Sequence, residues 1–194
     1  YANSRNQQPD RVTFEVGDAQ DLHFADGAFG GSLSLLVVNF IPDAAKAVRE
    51  MRRITQPGGR ISAAVWDYGE GMTMLRAFWD AAVSIDPGAE KRDEKHMRFC
   101  RSGELAQLWT SNGLESVLEK PLSIAMKVHD FADYWDPFLL GQGPAGAYVR
   151  TLKVDQVQAL RDAVRRRLSV TDESASFSIP SQVWAVRGTV PAVR

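Results

Sequence analysis

Between residues 33 and 66 the chain carries a pattern that few folds can accommodate. Leu33 to Phe40 (LSLLVVNF) is nearly all apolar, as expected of a strand covered on both faces in the middle of a parallel sheet. Pro42-Asp43 then opens a helix in which Ala44, Ala45, Val48, Met51 and Ile54 recur at spacings of three and four. Arg49, Arg52 and Arg53 gather toward its C-terminal end, where the macrodipole favours cations. Pro57-Gly58-Gly59 ends the helix, and Arg60 to Trp66 (RISAAVW) reads as a second buried strand. Strand, helix, glycine-rich turn and strand within about 35 residues make a βαβ unit with a right-handed crossover.

The flanking segments extend this into one α/β domain over residues 1–194. Asn3, Asn6, Gln7, Gln8 and Pro9 mark a helix end or loop, and Val12 to Val16 alternates with the strand period until Gly17-Asp18 stops it. Ala25-Asp26-Gly27 is a polar turn. Further on, Met72–Ser84, Ser102–Asn112 and Asp130–Leu140 carry helical periodicity, with Gly113 as a C′ residue. Leu114–Val128 predicts a strand interrupted near Pro121. Val157, Leu160, Val164 and Leu168 predict another amphipathic helix, and Ser176–Arg187 a late strand. Residues 67–175 thus contain helical insertions suited to a substrate lid.

Composition narrows the function classes. Among 194 residues, 23 basic side chains face 24 acidic ones, which argues against electrostatically driven nucleic-acid binding. No apolar run approaches the roughly 18 residues that a membrane-spanning helix needs. A lone cysteine, Cys100, excludes an intrachain disulfide framework and a cysteine-rich zinc site, and a reducing cytoplasm is the simplest compartment. Its neighbours Arg98 and Arg101 could lower its pKa, but a buried, inert thiol is the better reading. His23, His96 and His129 lack metal-ligand spacing, and Arg165-Arg166-Arg167 reads as a solvated helix face.

Ligands of open α/β sheets bind outside the carboxyl ends of strands. Gly17-Asp18-Ala19-Gln20 and Asn39-Phe40 both lie at such ends. Asp18 could accept a proton from an exocyclic amine or a ribose hydroxyl, with Ala19 offering its N–H. The plainer alternative makes Gly17-Asp18 a turn and Asn39 a strand terminator. Trp66 ends the strand from Arg60, and Asp67-Tyr68 just beyond it could meet substrate, either one orienting an acceptor or taking its proton. Tyr134-Trp135-Asp136-Pro137-Phe138 would form a substrate wall or, more often for such a cluster, core. Gly141-Gln142-Gly143-Pro144-Ala145-Gly146 matches G-x-G-x-x-G in spacing, yet follows a helical pattern and contains Pro144, so it reads as a flexible loop.

Taken in order, Gly17-Asp18-Ala19, the strand ending at Asn39-Phe40, Glu50-Met51-Arg52-Arg53 and Pro57-Gly58-Gly59 resemble the class I S-adenosylmethionine-dependent methyltransferases. The small-molecule group often labelled type 11 is the nearest. The resemblance implies a Rossmann-like, mostly parallel sheet of order 3-2-1-4-5-7-6 with an antiparallel late strand, here around Val183–Arg187. It implies that Gly17, Asp18, Ala19 and Gln20 lie against adenine, and that Leu35, Leu36, Asn39 and Phe40 line the methionine side of S-adenosylmethionine. Trp66, Asp67, Tyr68 and Trp135 would face a small-molecule methyl acceptor. Two departures stand out. No glycine-rich strand–loop precedes Tyr1, and Gly30 occupies a position that is usually acidic.

Without the family's first two strands, a gap of roughly 10–15 Å separates Val12–Val16 from Leu33–Val38. The expectation is a piece of a longer protein; a second chain filling the gap, as in a homo-oligomer, or a re-paired sheet are the alternatives. Two other functions compete with methyl transfer. One is a non-catalytic relative serving as a binding or assembly module. The other is a nicotinamide-dependent oxidoreductase, disfavoured because no glycine fingerprint opens a strand–helix unit and Tyr68 and Tyr148 lack a lysine four residues on.

Overall fold

A computed structural model describes residues 5, 8 and 10–192. Among the N-terminal residues expected in a helix end or loop, Asn3, Asn6, Gln7 and Pro9 lie outside the described residues. The described chain folds as β1 (Phe29–Leu35), α1 (Ala44–Ile54), β2 (Thr55–Trp66), α2 (Thr73–Ile85), α3 (Glu104–Ser111), β3 (Glu115–Val128), α4 (Phe131–Leu139), α5 (Gly143–Val149), α6 (Val154–Arg167) and β4 (Phe177–Thr189). Four strands form one sheet in the order β1-β2-β4-β3. That is the 4-5-7-6 part of the order the resemblance implies.

The βαβ unit forms as the sequence predicts. Asp43 caps α1 by accepting the Lys46 N–H at 2.8 Å, and the expected apolar stripe is buried at Ala44, Val48, Met51 and Ile54. β1 and β2 then pair in parallel, with Leu33 opposite Ser62 and Leu35 opposite Ala64. The late strand β4 runs antiparallel to both β2 and β3. Among the described residues the sheet is therefore mixed, its only parallel pair being β1 with β2.

Several boundaries differ from the sequence reading, each for a physical reason. Val12–Val16 is not a strand; it follows a turn in which the Val12 N–H donates to Gln8 O at 2.9 Å, and no strand among the described residues pairs with it. β1 spans Phe29–Leu35 rather than Leu33–Phe40. Leu36 takes a φ of 58° that ends the extended run, and Val38–Phe40 closes into a 3₁₀ turn. Leu33 and Leu35 are 73% and 65% exposed, so β1 is not covered on both faces by the described residues.

Pro57-Gly58-Gly59 lies within β2 rather than before it. Gly58 N–H donates to Val190 O, and Val190 N–H to Gly59 O, each at 2.9 Å. A Cβ on Gly59 would sit 2.6 Å from Thr55 Cγ2 and 2.8 Å from Gly30 O, so only glycine allows the strands this close. β3 continues through Pro121, which pairs with Trp184. β3 is an edge strand, where a missing N–H is tolerated, and its irregularity falls between Glu115 and Leu118 instead.

The core is gathered between the sheet and the helices. Ile61, Ala63 and Val65 of β2 are buried together with Phe78 and Trp79 of α2, Leu105 and Trp109 of α3, and Leu160 and Val164 of α6. Trp109 Nε1–H donates to Ile61 O at 3.2 Å. Phe78 stacks on Phe138 at 4.6 Å, docking α4 on α2.

Candidate functional site

The carboxyl ends of β1 and β2 lie side by side, joined by the Leu36 N–H donating to Ala64 O at 2.8 Å. Just beyond β1, Asn39 is 5% exposed and its Oδ1 is buried with no hydrogen-bond partner. Its Nδ2 reaches only the Met97 thioether, at 3.8 Å. An unpaired buried carbonyl costs free energy that a ligand donor would recover. Phe40 beside it is exposed.

Gly17-Asp18-Ala19-Gln20 forms the tight turn of the plainer reading, with no strand before it among the described residues. Asp18 Oδ1 accepts the Gln20 backbone N–H at 2.8 Å. That bond and the Gln20 side chain hold the Asp18 carboxyl below its ordinary range. Gln20 Oε1 in turn accepts the Asp43 N–H at 3.0 Å, so the turn is tied to the backbone four residues after Asn39. Val16, Gly17, Ala19, Leu22, Phe24 and Phe29 contribute to a cavity of about 550 Å³ on this side.

A clamp on α1 fixes the segment that follows. Arg53 donates to Glu50, to Asp26 and to the carbonyl oxygens of Leu22 and Phe24 at 2.7–2.9 Å, while the Leu22 N–H donates to Glu50 Oε2. The Arg53 guanidinium holds the Glu50 carboxyl down at about 2. Sequence reasoning noticed Glu50 and Arg53 only as part of a pattern; their contacts span some thirty residues and have no local signal.

At the end of β2, Trp66 is half-buried while Asp67 and Tyr68 are buried. Asp67 accepts from Glu70 N and from Gln182 Nε2, both at 3.0 Å, and so binds the 67–72 turn to β4. Burial pushes the Tyr68 hydroxyl up to about 12, which unsuits it as a base at neutral pH.

The insertion builds a second cavity of about 420 Å³ between α2, β3, α4 and α5. Tyr134 and Phe138 of α4 line it, as does Glu94 from a short 3₁₀ turn. Trp135 does not. It is 2% exposed and packs against Phe78 and Phe138, the core role that its cluster favours. Glu94 went unnoticed in the sequence because it lies in the charged run Arg92-Asp93-Glu94-Lys95-His96. Only tertiary contact buries it.

The remaining candidates take plainer roles. Gly141–Gly146 follows helix α4 rather than a strand, and from Gly143 it forms α5 rather than a flexible loop; Pro144 starts the helix with its preset φ. His23 and His96 are exposed beside Glu15 and Glu90. Among the described residues no His, Cys, Asp and Glu cluster could hold a metal, and no helix is long and apolar enough to cross a membrane. Burial raises the Cys100 thiol to about 12, as an inert thiol requires. Arg165 pairs with Glu173.

Residues 1–63 match the family model described as a methyltransferase domain. A putative methyltransferase from Bacillus halodurans shares the fold at a TM-score of 0.52 and 15% identity, over 94% of this chain and 79% of that one. The chain thus resembles methyltransferases in sequence over its first third and in fold over nearly all its length. Among the proteins it is similar to, an uncharacterized protein of Mycobacterium tuberculosis is 28% identical over 130 residues, 64% of this chain and 47% of that protein. Ajmaline N-methyltransferase of Rauvolfia serpentina is 41% identical over 130 residues, 66% of this chain and 40% of that enzyme. The chain spans about half the length, or less, of the curated relatives it matches.

Proposed function

We propose that the protein transfers a methyl group from S-adenosylmethionine to a small-molecule acceptor. The tie between Gln20 Oε1 and the Asp43 N–H, at 3.0 Å, carries this reading. It draws the Asp18 turn and the Asn39 end of β1 to one end of the sheet, where ligands of open α/β sheets bind.

The residues suit the cofactor at two points. Asp18 and the Ala19 N–H, supported by Gly17 and Gln20, would hold the adenosine. The orphaned Asn39 Oδ1 would accept from the amino group of the methionine part, over an apolar floor of Leu35, Leu36 and Phe40. Bound there, the cofactor supplies an electrophilic methyl group on a sulfonium. The chain's own residues orient the acceptor and exclude water, the terms on which such a transfer depends.

Residues 67–175, which contribute the helices around the second cavity, would seat the acceptor. Trp66, Asp67 and Tyr68 would shape its cofactor side, and Trp135 would back the wall from the core. A reducing cytoplasm suits the single buried thiol.

Isothermal titration of the full-length protein with S-adenosylhomocysteine tests the reading. Binding heat that weakens in Asn39→Ala is expected. Silence at millimolar ligand would sink the proposal.

A further inference from the structure

The cavity between α2, β3, α4 and α5 has a composition that cofactor binding does not explain. Met74, Leu75, Val128, Tyr134 and Phe138 give it an apolar, partly aromatic wall, and Glu94 is set into that wall. The Glu94 residue is 6% exposed. A carboxyl so placed is costly unless its charge finds a partner.

Its partners within the protein answer that charge only in part. Trp79 Nε1–H donates to Glu94 Oε2 at 3.0 Å, a neutral donor. Arg76 favours the charged form but is hydrogen-bonded by both terminal nitrogens to Asp93, whose own negative charge opposes it. Burial therefore prevails and raises the Glu94 carboxyl above its ordinary range. The other charged lining residues, Lys127 and Asp133, are exposed and opposite in sign, so Glu94 sets the preference of the interior. Aromatic faces such as those of Tyr134 and Phe138 also attract cations within about 6 Å.

We propose that this cavity binds a hydrophobic amine, its nitrogen held by the Glu94 carboxylate and its apolar body by Tyr134, Phe138 and the aliphatic wall. An amine bound here would be the methyl acceptor once the Glu94 carboxylate has taken its proton and freed the nitrogen lone pair, a conclusion that rests on the function proposed above; the binding itself needs no cofactor.

Three probes of one shape decide the matter: 1-naphthylmethylamine, 1-naphthylmethanol and 1-naphthoic acid, each titrated calorimetrically into the full-length protein at neutral pH without cofactor. The amine is expected to bind about tenfold or more tighter than the alcohol, as a charge-assisted contact requires, and the acid weakest. Glu94→Gln should abolish the amine's advantage while leaving the alcohol's affinity unchanged. Equal binding of amine and alcohol, an advantage that survives Glu94→Gln, or no binding of any probe would overturn the proposal. Should Glu94→Gln fail to fold, the wild-type ratio of amine to alcohol decides alone. Amine binding without any response to S-adenosylhomocysteine would refute the methyl-transfer reading and leave this one standing.

Discussion

Glu50 shows how one side chain sets the pH response of a loop. Its carboxyl sits at about 2 against an ordinary 4.5, chiefly through the hydrogen bonds of Arg53. A carboxylate with a lowered folded-state pKa stabilises fully above its unfolded value and loses that contribution as pH falls through the folded one. Wild type should therefore exceed Glu50→Gln in stability above about pH 4.5, and the difference should vanish toward pH 2. Denaturant midpoints measured across that range check the expectation; a difference independent of pH would show that shape, not charge, holds the clamp. None of this is legible locally, since the Glu50–Arg53 spacing also suits an ordinary exposed helix pair.

At the scale of elements, α2 is fastened to the segment after it by a buried ion pair. Arg76 and Asp93 are 9% and 7% exposed, and Arg76 Nη1 lies 2.9 Å from Asp93 Oδ2. Replacing Arg76 by Met would leave the buried Asp93 only the more distant Lys95 Nζ, at 3.8 Å, and breaking such a buried pair typically costs about 3–5 kcal/mol. Urea denaturation of Arg76→Met should show a loss of that order. A loss below about 1 kcal/mol, the worth of an exposed pair, would mean that solvent reaches Asp93.

The elements themselves were the most legible part of the chain. The βαβ unit, the late strand and the helices of the insertion are written in apolar periodicity, which acts over a few residues; that the late strand runs antiparallel came only from the family resemblance. What escaped was set by contacts between distant segments. Leu36 breaks β1 by its backbone angle, Pro121 survives in β3 because that strand is an edge, and Glu94 becomes buried only when Trp79 arrives. Likewise the turn at Asp18 was legible in the sequence, whereas neither the absence of the strand expected before it nor its tie through Gln20 to Asp43 was.

For the whole molecule, the open side of β1 matters most. No strand among the described residues pairs with its outer edge, and Leu33 and Leu35 are largely exposed there. An unpaired edge with exposed apolar side chains is a template for another strand, so this chain by itself should self-associate in concentrated solution. Leu33→Lys should suppress that association without lowering the melting temperature, as sedimentation and thermal unfolding would show. Association that persists in Leu33→Lys would place the contact elsewhere.

The two ends of the sheet also differ in what they permit. β3, the opposite edge, carries Lys120, Pro121 and Lys127, which discourage strand addition. Contact of β1 with β3 would be head-to-tail and, having no reason to close, would run on as a filament; contact of β1 with β1 obeys a twofold axis and is complete at two copies. Guarding only one edge thus makes the arithmetic of assembly finite. The species that sediments should be a symmetric pair, not a polymer.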